Sequence, residues 1–270
     1  DDSISLTGIT SITVNGRKGD DKITLDKTLN AFAGTIAING DEGDDVTTID
    51  LSGGSFAAAL EIKGGLQATA VGDKLVVESG AFTSATLGYS GLGSGNLLFD
   101  TSAITFTEIE QADYSTNTSS KLIIDLPDSD PSAGGPAGED DDTKFSIDGG
   151  NNLVVESLNG KHQKDTFSLT GVTEITINGR QGDDKITLDT TFKAFTGTVV
   201  VNGGAGGDTL VTDLSGGTFA SNVTFKGDAP AAAPGDRLLI SGGSFVNVTL
   251  NHTNASDGSV VLDGKTISYE

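Results

Sequence analysis

Cysteine, methionine and tryptophan are absent from this chain of 270 residues. Without cysteine there is no disulfide frame, no thiolate zinc site and no thiol nucleophile. Only two histidines occur, His162 and His252, and neither recurs at an equivalent place, so no imidazole cluster is in view. No apolar run approaches ~20 residues, so no membrane-spanning helix or membrane insertion is expected. No signal peptide is visible either. Positive charge is scarce: 16 Lys and Arg stand against 38 Asp and Glu, for a net charge of −22. That balance argues against nucleic acid and anionic membrane surfaces as partners, and it suits a protein that binds cations. Methionine is missing even at position 1, and the chain starts and stops partway through its own pattern. The expectation is a piece of a longer tandem array, or a processed chain.

What the chain does have is glycine, 38 residues of it, set beside aspartate in turns. Gly203-Gly204-Ala205-Gly206-Gly207-Asp208-Thr209-Leu210-Val211 reads G-G-x-G-x-D-x-U-x, with U a large apolar residue. Gly16 to Thr24 and Gly179 to Thr187 keep G-x-x-G-x-D-x-U-x, with Gly19, Asp20 and Asp21 in the first and Gly182, Asp183 and Asp184 in the second. Gly40 to Thr48 keeps it, with Gly43, Asp44 and Asp45, except that Thr47 stands at the apolar place. A decayed copy runs from Gly160 to Phe167, and shortened ones are Gly72-Asp73-Lys74-Leu75 and Gly235-Asp236-Arg237-Leu238. The glycines should allow positive φ in a tight turn. Such a turn would aim carbonyl oxygens inward beside a carboxylate, an all-oxygen set that suits calcium.

The turns sit in an internal duplication. Residues 1–107 match residues 164–270 at a constant offset of 163. Within each copy the strand-opening aspartates step by 19, 24 and 28 residues, as Asp2, Asp21, Asp45, Asp73 and again as Asp165, Asp184, Asp208, Asp236, with a further step near Asn96 and Ser259. Each step carries two stretches alternating with period two and rich in Ile, Val and Thr, such as Ile23-Thr24-Leu25 and Ile36-Ala37-Ile38. That period means strand rather than helix. The fold class expected is therefore all-β: a parallel β-solenoid, of the β-roll or β-helix kind, with two tandem homologous lobes. Three prolines and Glu139-Asp140-Asp141-Asp142 mark a linker over 127–143, between a first lobe at 1–126 and a second at 144–270. A smaller Pro-containing excursion, Ala229 to Pro234, faces Leu66 to Val71 in the other copy.

Stacked coils would bring equivalent turns about 4.8 Å apart, one strand spacing. Two carboxylates at ~5 Å repel by about 3 kcal/mol at an effective dielectric of 20. A divalent cation between turns reverses that sign. The chain should then be loose in chelator and ordered in calcium. Strand register favours Asp21 over Asp20 as the inward member of its pair.

The turns resemble the repeats-in-toxin family, the hemolysin-type calcium-binding repeats. The stretch Asp257 to Tyr269 is similar to unit ends of giant repetitive bacterial surface proteins. The resemblance implies a Ca2+ β-roll, export to the cell exterior, and folding once calcium is met. Carried over by position, it implies Asp21, Asp45, Asp184 and Asp208 as side-chain ligands. The glycine turns Gly16, Gly19, Gly40, Gly43, Gly179, Gly182, Gly203 and Gly206 would supply carbonyls, with Asp20, Asp44 and Asp183 beside them. Asp73 and Asp236 are left out of that set, because their turns lack the earlier glycines. The family carries a nonapeptide at each turn of a shorter coil, whereas here it recurs on one side only. Calcium should line one edge.

The function expected is an extracellular, calcium-stiffened structural repeat of a surface layer, filament or adhesin. Its partners would be copies of itself, end to end, with a cell-surface glycan as a second candidate. A polysaccharide lyase or epimerase on a β-helix is the first alternative, but no convergent Asp, Lys, Arg or His group is apparent and lone histidines usually lie on the surface. No enzyme is expected. A glycan- or ice-binding module is the second alternative. Its threonines, Thr13 and Thr176 among them, read more simply as the outer face of a half-solvated sheet.

Overall fold

A computed structural model describes residues 5–69, 72–128, 140–229, 235–254 and 256–270. In chain order the first copy carries β1 (Ser11–Lys18), β2 (Lys22–Leu25), β3 (Thr35–Glu42), β4 (Val46–Asp50), β5 (Ala59–Leu66), β6 (Lys74–Glu78), β7 (Ala81–Gly91), β8 (Ser94–Phe99) and β9 (Ser102–Thr107). Then come β10 (Gln111–Tyr114), β11 (Thr118–Asp125), β12 (Asp142–Ile147) and β13 (Asn152–Ser157). The second copy adds β14 (Lys164–Ser168), β15 (Glu174–Gln181), β16 (Lys185–Leu188), β17 (Thr198–Ala205), β18 (Thr209–Asp213), β19 (Asn222–Ala229), β20 (Arg237–Ser241), β21 (Val248–His252), β22 (Gly258–Leu262) and β23 (Lys265–Tyr269). Two single 3-10 turns, Lys27–Leu29 and Thr190–Ala194, are the only helical segments among the described residues.

The protein is all-β, and its strands form two large sheets. One has 13 strands in the order β1-β3-β5-β9-β8-β7-β11-β15-β17-β19-β23-β22-β21. The other has 10, in the order β2-β4-β6-β10-β14-β13-β12-β16-β18-β20. From β1 to β6, and again from β15 to β20, consecutive strands alternate between sheets. Within each run, strands two places apart pair in parallel, as Ile12 with Ile36 and Ile36 with Leu60. The alternation follows from the sequence: inward Ile36, Ile38, Ile49, Leu60 and Ile62 are buried in one apolar cluster fed by both sheets. Each such side chain contributes about 1.5–3 kcal/mol on burial.

Pairing is not parallel throughout. β8 runs antiparallel between β7 and β9, β22 between β21 and β23, and β13 between β12 and β14. The expected step at Asn96 and Ser259 therefore opens no new turn of the pattern; both residues lie in reversed strands. The reversal into β9 and into β23 is made by a tight turn. Asp100 and Asp263 take φ of 49° and 48°, with Gly264 at 86°, values that suit short hairpin turns. Asp100 also fixes its turn by accepting from the N–H groups of Thr83 and Ser84.

The two copies share their sheets, because β11 pairs with β7 on one side and β15 on the other. Asp142 and Thr143, at the end of the expected linker, are the first residues of β12. The rest of that linker at 129–139, Asp2, the tip of the 66–71 loop at 70–71 and the proline excursion at 230–234 lie outside the described residues.

Candidate metal centre

The glycine turns join a strand of the first sheet to a strand of the second. The turn after β1 spans Gly16 to Asp21, and those after β3, β15 and β17 are its equivalents. Positive φ falls first on the second place of the turn: Arg17 at 82°, Asp41 at 77°, Arg180 at 78° and Gly204 at 106°. The fourth-place glycines follow, with Gly19 at 107° and Gly182 at 128°. The first-place glycines Gly16, Gly40, Gly179 and Gly203 are not in that conformation, contrary to expectation. They are needed for room. A Cβ on Gly40 would lie 2.3 Å from Asp45 Oδ2 and 2.4 Å from the Gly64 carbonyl oxygen. On Gly203 it would lie 2.3 Å from Asp208 Oδ2, on Gly179 2.6 Å from Asp184 Oδ2, and on Gly16 2.8 Å from Asp21 Oδ2.

That difference is testable. Gly203→Ala should cost at least about 3 kcal/mol in urea unfolding, since a buried carboxylate has nowhere to move. Gly217→Ala, at φ 112° with nothing within 4 Å of its Cβ, should cost only about 1–2 kcal/mol. A loss at Gly203 no larger than that at Gly217 would show that the Asp208 carboxylate moves aside and that room is not the constraint.

The aspartates form two columns of opposite polarity. In the inner column each carboxylate reaches back one rung to a backbone N–H. Asp45 Oδ1 accepts from Asp21 N at 2.7 Å, and Asp73 Oδ1 accepts from Asp45 N at 2.7 Å. Glu110 Oε2 accepts from Asp73 N at 2.6 Å. The second copy repeats this: Asp184 Oδ1 accepts from Asp141 N at 2.8 Å, Asp208 Oδ1 from Asp184 N at 2.9 Å, and Asp236 Oδ1 from Asp208 N at 2.9 Å. In the outer column the reach is forward. Asp20 Oδ1 accepts from Asp44 N at 3.0 Å, Asp44 Oδ1 from Ala68 N at 2.8 Å, and Asp183 Oδ1 from Gly207 N at 2.7 Å. Asp21 is thus the inward member of its pair, and Asp45 and Asp208 lie next to their expected neighbours. Asp73 and Asp236, omitted on sequence grounds, belong to the same column. Their own turns lost glycines, but Gly64 and Gly227 supply the room: a Cβ there would meet Asp73 Oδ2 at 2.5 Å and Asp236 Oδ2 at 2.2 Å.

The inner column holds an unusual amount of orphaned charge. Asp45, Asp73, Asp184 and Asp208 are at most 3% exposed. Their Oδ2 atoms, and that of Asp21, are buried without a hydrogen-bond partner. Burial, then repulsion from Asp141 and Asp208, pushes the Asp184 carboxyl up to about 9. Burial raises Asp73 and Asp208 to about 6, with like charge on neighbouring acids adding to it, and raises Asp45 too. The outer Asp44 moves the other way, lowered chiefly by its hydrogen bonds with Thr69.

A hard cation suits these donors, which are all oxygens. The fit is limited by number. Among the described residues no group of three or more His, Cys, Asp or Glu side chains is placed to share one ion. Each turn offers one orphaned carboxylate oxygen, so backbone carbonyls would have to complete the six to eight that calcium takes.

A second polar group was not foreseen. His162, expected at the surface, is 3% exposed and stacks on Tyr89 with ring centroids 4.1 Å apart. Tyr89 donates to Asp165 Oδ2 at 2.5 Å, and His162 Nε2 lies 2.9 Å from Thr143 Oγ1. Burial pushes Asp165 up to about 8 and holds His162 down at about 4. These residues sit where β13 and β8 interrupt the parallel pairing, so the aspartate column is broken there. The signal in the sequence was slight: Tyr89 replaces the His252 of the other copy. His252 itself is exposed, beside the Tyr269 hydroxyl at 3.1 Å.

No family model matches the chain, and no curated protein matches it. The likeness of the glycine turns to calcium-binding repeats therefore rests on the quoted residues and on the column they form.

Proposed function

We propose that this protein is an extracellular structural repeat module whose two sheets wind as a β-solenoid, in two homologous lobes, and are set by calcium along one edge. The observation that carries this reading is the inner column of buried carboxylates with orphaned oxygens. Two pairs of such groups, Asp45 with Asp73 and Asp184 with Asp208, each joined carboxylate to backbone N–H, oppose folding unless protons or cations neutralise them. Asp21, Asp45, Asp184 and Asp208 would each hold an ion with the carbonyls of their glycine turns, and Asp73 and Asp236 extend the set. The ion would supply charge neutralisation and a cross-link between rungs. The acidic surface, at a net charge of −22, is consistent with calcium-rich surroundings outside a cell.

One observation favours a second reading. Asp45, Asp73, Asp184, Asp208 and Asp236 already use Oδ1 on a backbone N–H, so the column also works as a ladder of neutral carboxylic acids with no metal. Substitution separates the two. Asp45→Asn and Asp208→Asn keep size and the Oδ1 acceptor but remove the charge. On the calcium reading, equilibrium dialysis should show fewer calcium ions bound per chain. Both variants should also be more stable than the parent in chelator and less stable in calcium. A gain of stability in both conditions, with no calcium bound by the parent, supports the ladder alone.

A further inference from the structure

We propose that Thr143 and Gln163 become joined by an intramolecular ester, which the protein forms itself with His162 as base and with release of ammonia. A nucleophile, a base and an unsatisfied carboxamide lie buried together where β13 interrupts the parallel pairing. Calcium plays no part in this.

Thr143 stands second in β12, and Gln163 immediately precedes β14. Thr143, His162, Gln163 and Asp165 are at most 4% exposed. The His162 ring is held in one tautomer. Its Nδ1 lies 2.8 Å from the Gln163 carbonyl oxygen, which can only accept, so Nδ1 carries the proton. Nε2, 2.9 Å from Thr143 Oγ1, is left to accept from the hydroxyl. Burial keeps the ring neutral, and stacking on Tyr89 fixes its plane. A hydroxyl set against an imidazole lone pair, with the far nitrogen anchored, is the arrangement that makes an alcohol nucleophilic.

A threonine this deeply buried meets no substrate from solution, so its electrophile has to come from the chain. Gln163 offers one. Neither Nε2 nor Oε1 of its side chain makes a hydrogen bond, an unusual state for a buried amide. The same side chain lies close enough to Asp165 to draw that carboxyl's pKa down. Asp165 takes the Tyr89 hydroxyl on Oδ2 and leaves Oδ1 unpartnered. Burial outweighs the Gln163 contact and keeps Asp165 at about 8, so at neutral pH it bears a proton. Thr143, His162, Tyr89, Asp165 and Gln163 thus form a chain of contacts that starts at the hydroxyl and ends at the carboxamide.

In the reaction Thr143 Oγ1 passes its proton to His162 Nε2 and bonds to Gln163 Cδ. Asp165 donates to Gln163 Oε1 as negative charge builds there. The Cδ–Nε2 bond of Gln163 then breaks. His162 returns the proton to the departing nitrogen, which leaves as ammonia. The atoms balance without an oxidant or a second substrate. Exclusion of water protects the ester from hydrolysis. The new bond ties β12 to β14 across the reversed β13, which pairs with both.

Mass spectrometry of the whole chain, purified folded and then denatured, should show the sequence mass less one ammonia. Ring closure at Asn15-Gly16 or another Asn-Gly pair also loses ammonia, so the tryptic peptides decide. The peptide that ends at Lys144 should be found joined to His162-Gln163-Lys164, and hydroxylamine should separate the two. Thr143→Ser should keep the joined peptide. Thr143→Val and Gln163→Glu should lose it, with strand content unchanged by circular dichroism. The proposal is overturned if the folded parent has its full sequence mass, if ammonia is lost without the joined peptide, or if Thr143→Val still yields that peptide.

Discussion

Calcium is expected to raise the thermal unfolding midpoint of this protein by more than about 20 °C over its value in chelator. Each site filled at 100 times its Kd adds about 2.7 kcal/mol. Four sites, at Asp21, Asp45, Asp184 and Asp208, together add about 11 kcal/mol if rungs contribute roughly independently. One kcal/mol moves the midpoint of a domain of about this size by about 2–4 °C. Magnesium should do much less, because it demands a near-ideal octahedron and gives up its water reluctantly. Differential scanning calorimetry in calcium, magnesium and chelator measures all three. A midpoint that does not move with calcium removes the metal from the account and leaves the ladder of neutral acids.

Without metal, stability is expected to rise as pH falls from about 9 to about 5, the reverse of ordinary acid unfolding. The sign follows from the shifts. Asp73 and Asp208 sit at about 6, Asp165 at about 8 and Asp184 at about 9, all above the ordinary 3.8. A carboxyl raised in the folded state contributes fully below its unfolded pKa, and that contribution is lost as pH climbs through the folded value. For Asp208, moving from 3.8 to about 6 corresponds to about 3 kcal/mol at alkaline pH. His162 works the other way at the acid end. Held at about 4, it stabilises fully above its ordinary 6.5, and that stability is lost as pH falls through 4. The optimum in chelator should therefore lie near pH 5. Calcium should flatten the alkaline side, since it replaces the protons on the inner column. Urea midpoints across this range, with and without calcium, give both curves. A chelator curve that falls on acidification from pH 8 contradicts the buried, raised carboxyls.

Much of the candidate site was legible before any coordinates. Asp208 stands two places before Leu210, so period-two alternation puts both on the inward face, and both are 1% exposed or less. The same reasoning placed Asp21 inside and Asp20 outside. The role of Gly40 and Gly203 was not legible. A glycine in a turn suggests positive φ, whereas the need at these places is clearance from the carboxylate five places on in the same turn. Asp73 lacks the earlier glycines of the pattern; Gly64, which makes its room, lies nine places before it within β5, level with Gly40. His162 was misplaced because a lone histidine between repeats carries no pattern, and its burial depends on Tyr89, 73 residues earlier.

By itself the sequence determined the β character, the duplication at offset 163, the face each residue turns inward and the recurrence of acidic corners. All of these are local periods, set by the alternation of side chains along a strand. Only the tertiary structure decided which strands run parallel, where β8, β13 and β22 reverse, and which carboxylate oxygens are left without a partner. The parallel pairings and the orphaned oxygens depend on hydrogen bonds between residues 24 or more places apart, and even the short hairpins that reverse β8, β13 and β22 leave no mark in the alternation, which is the same whichever way a neighbouring strand runs.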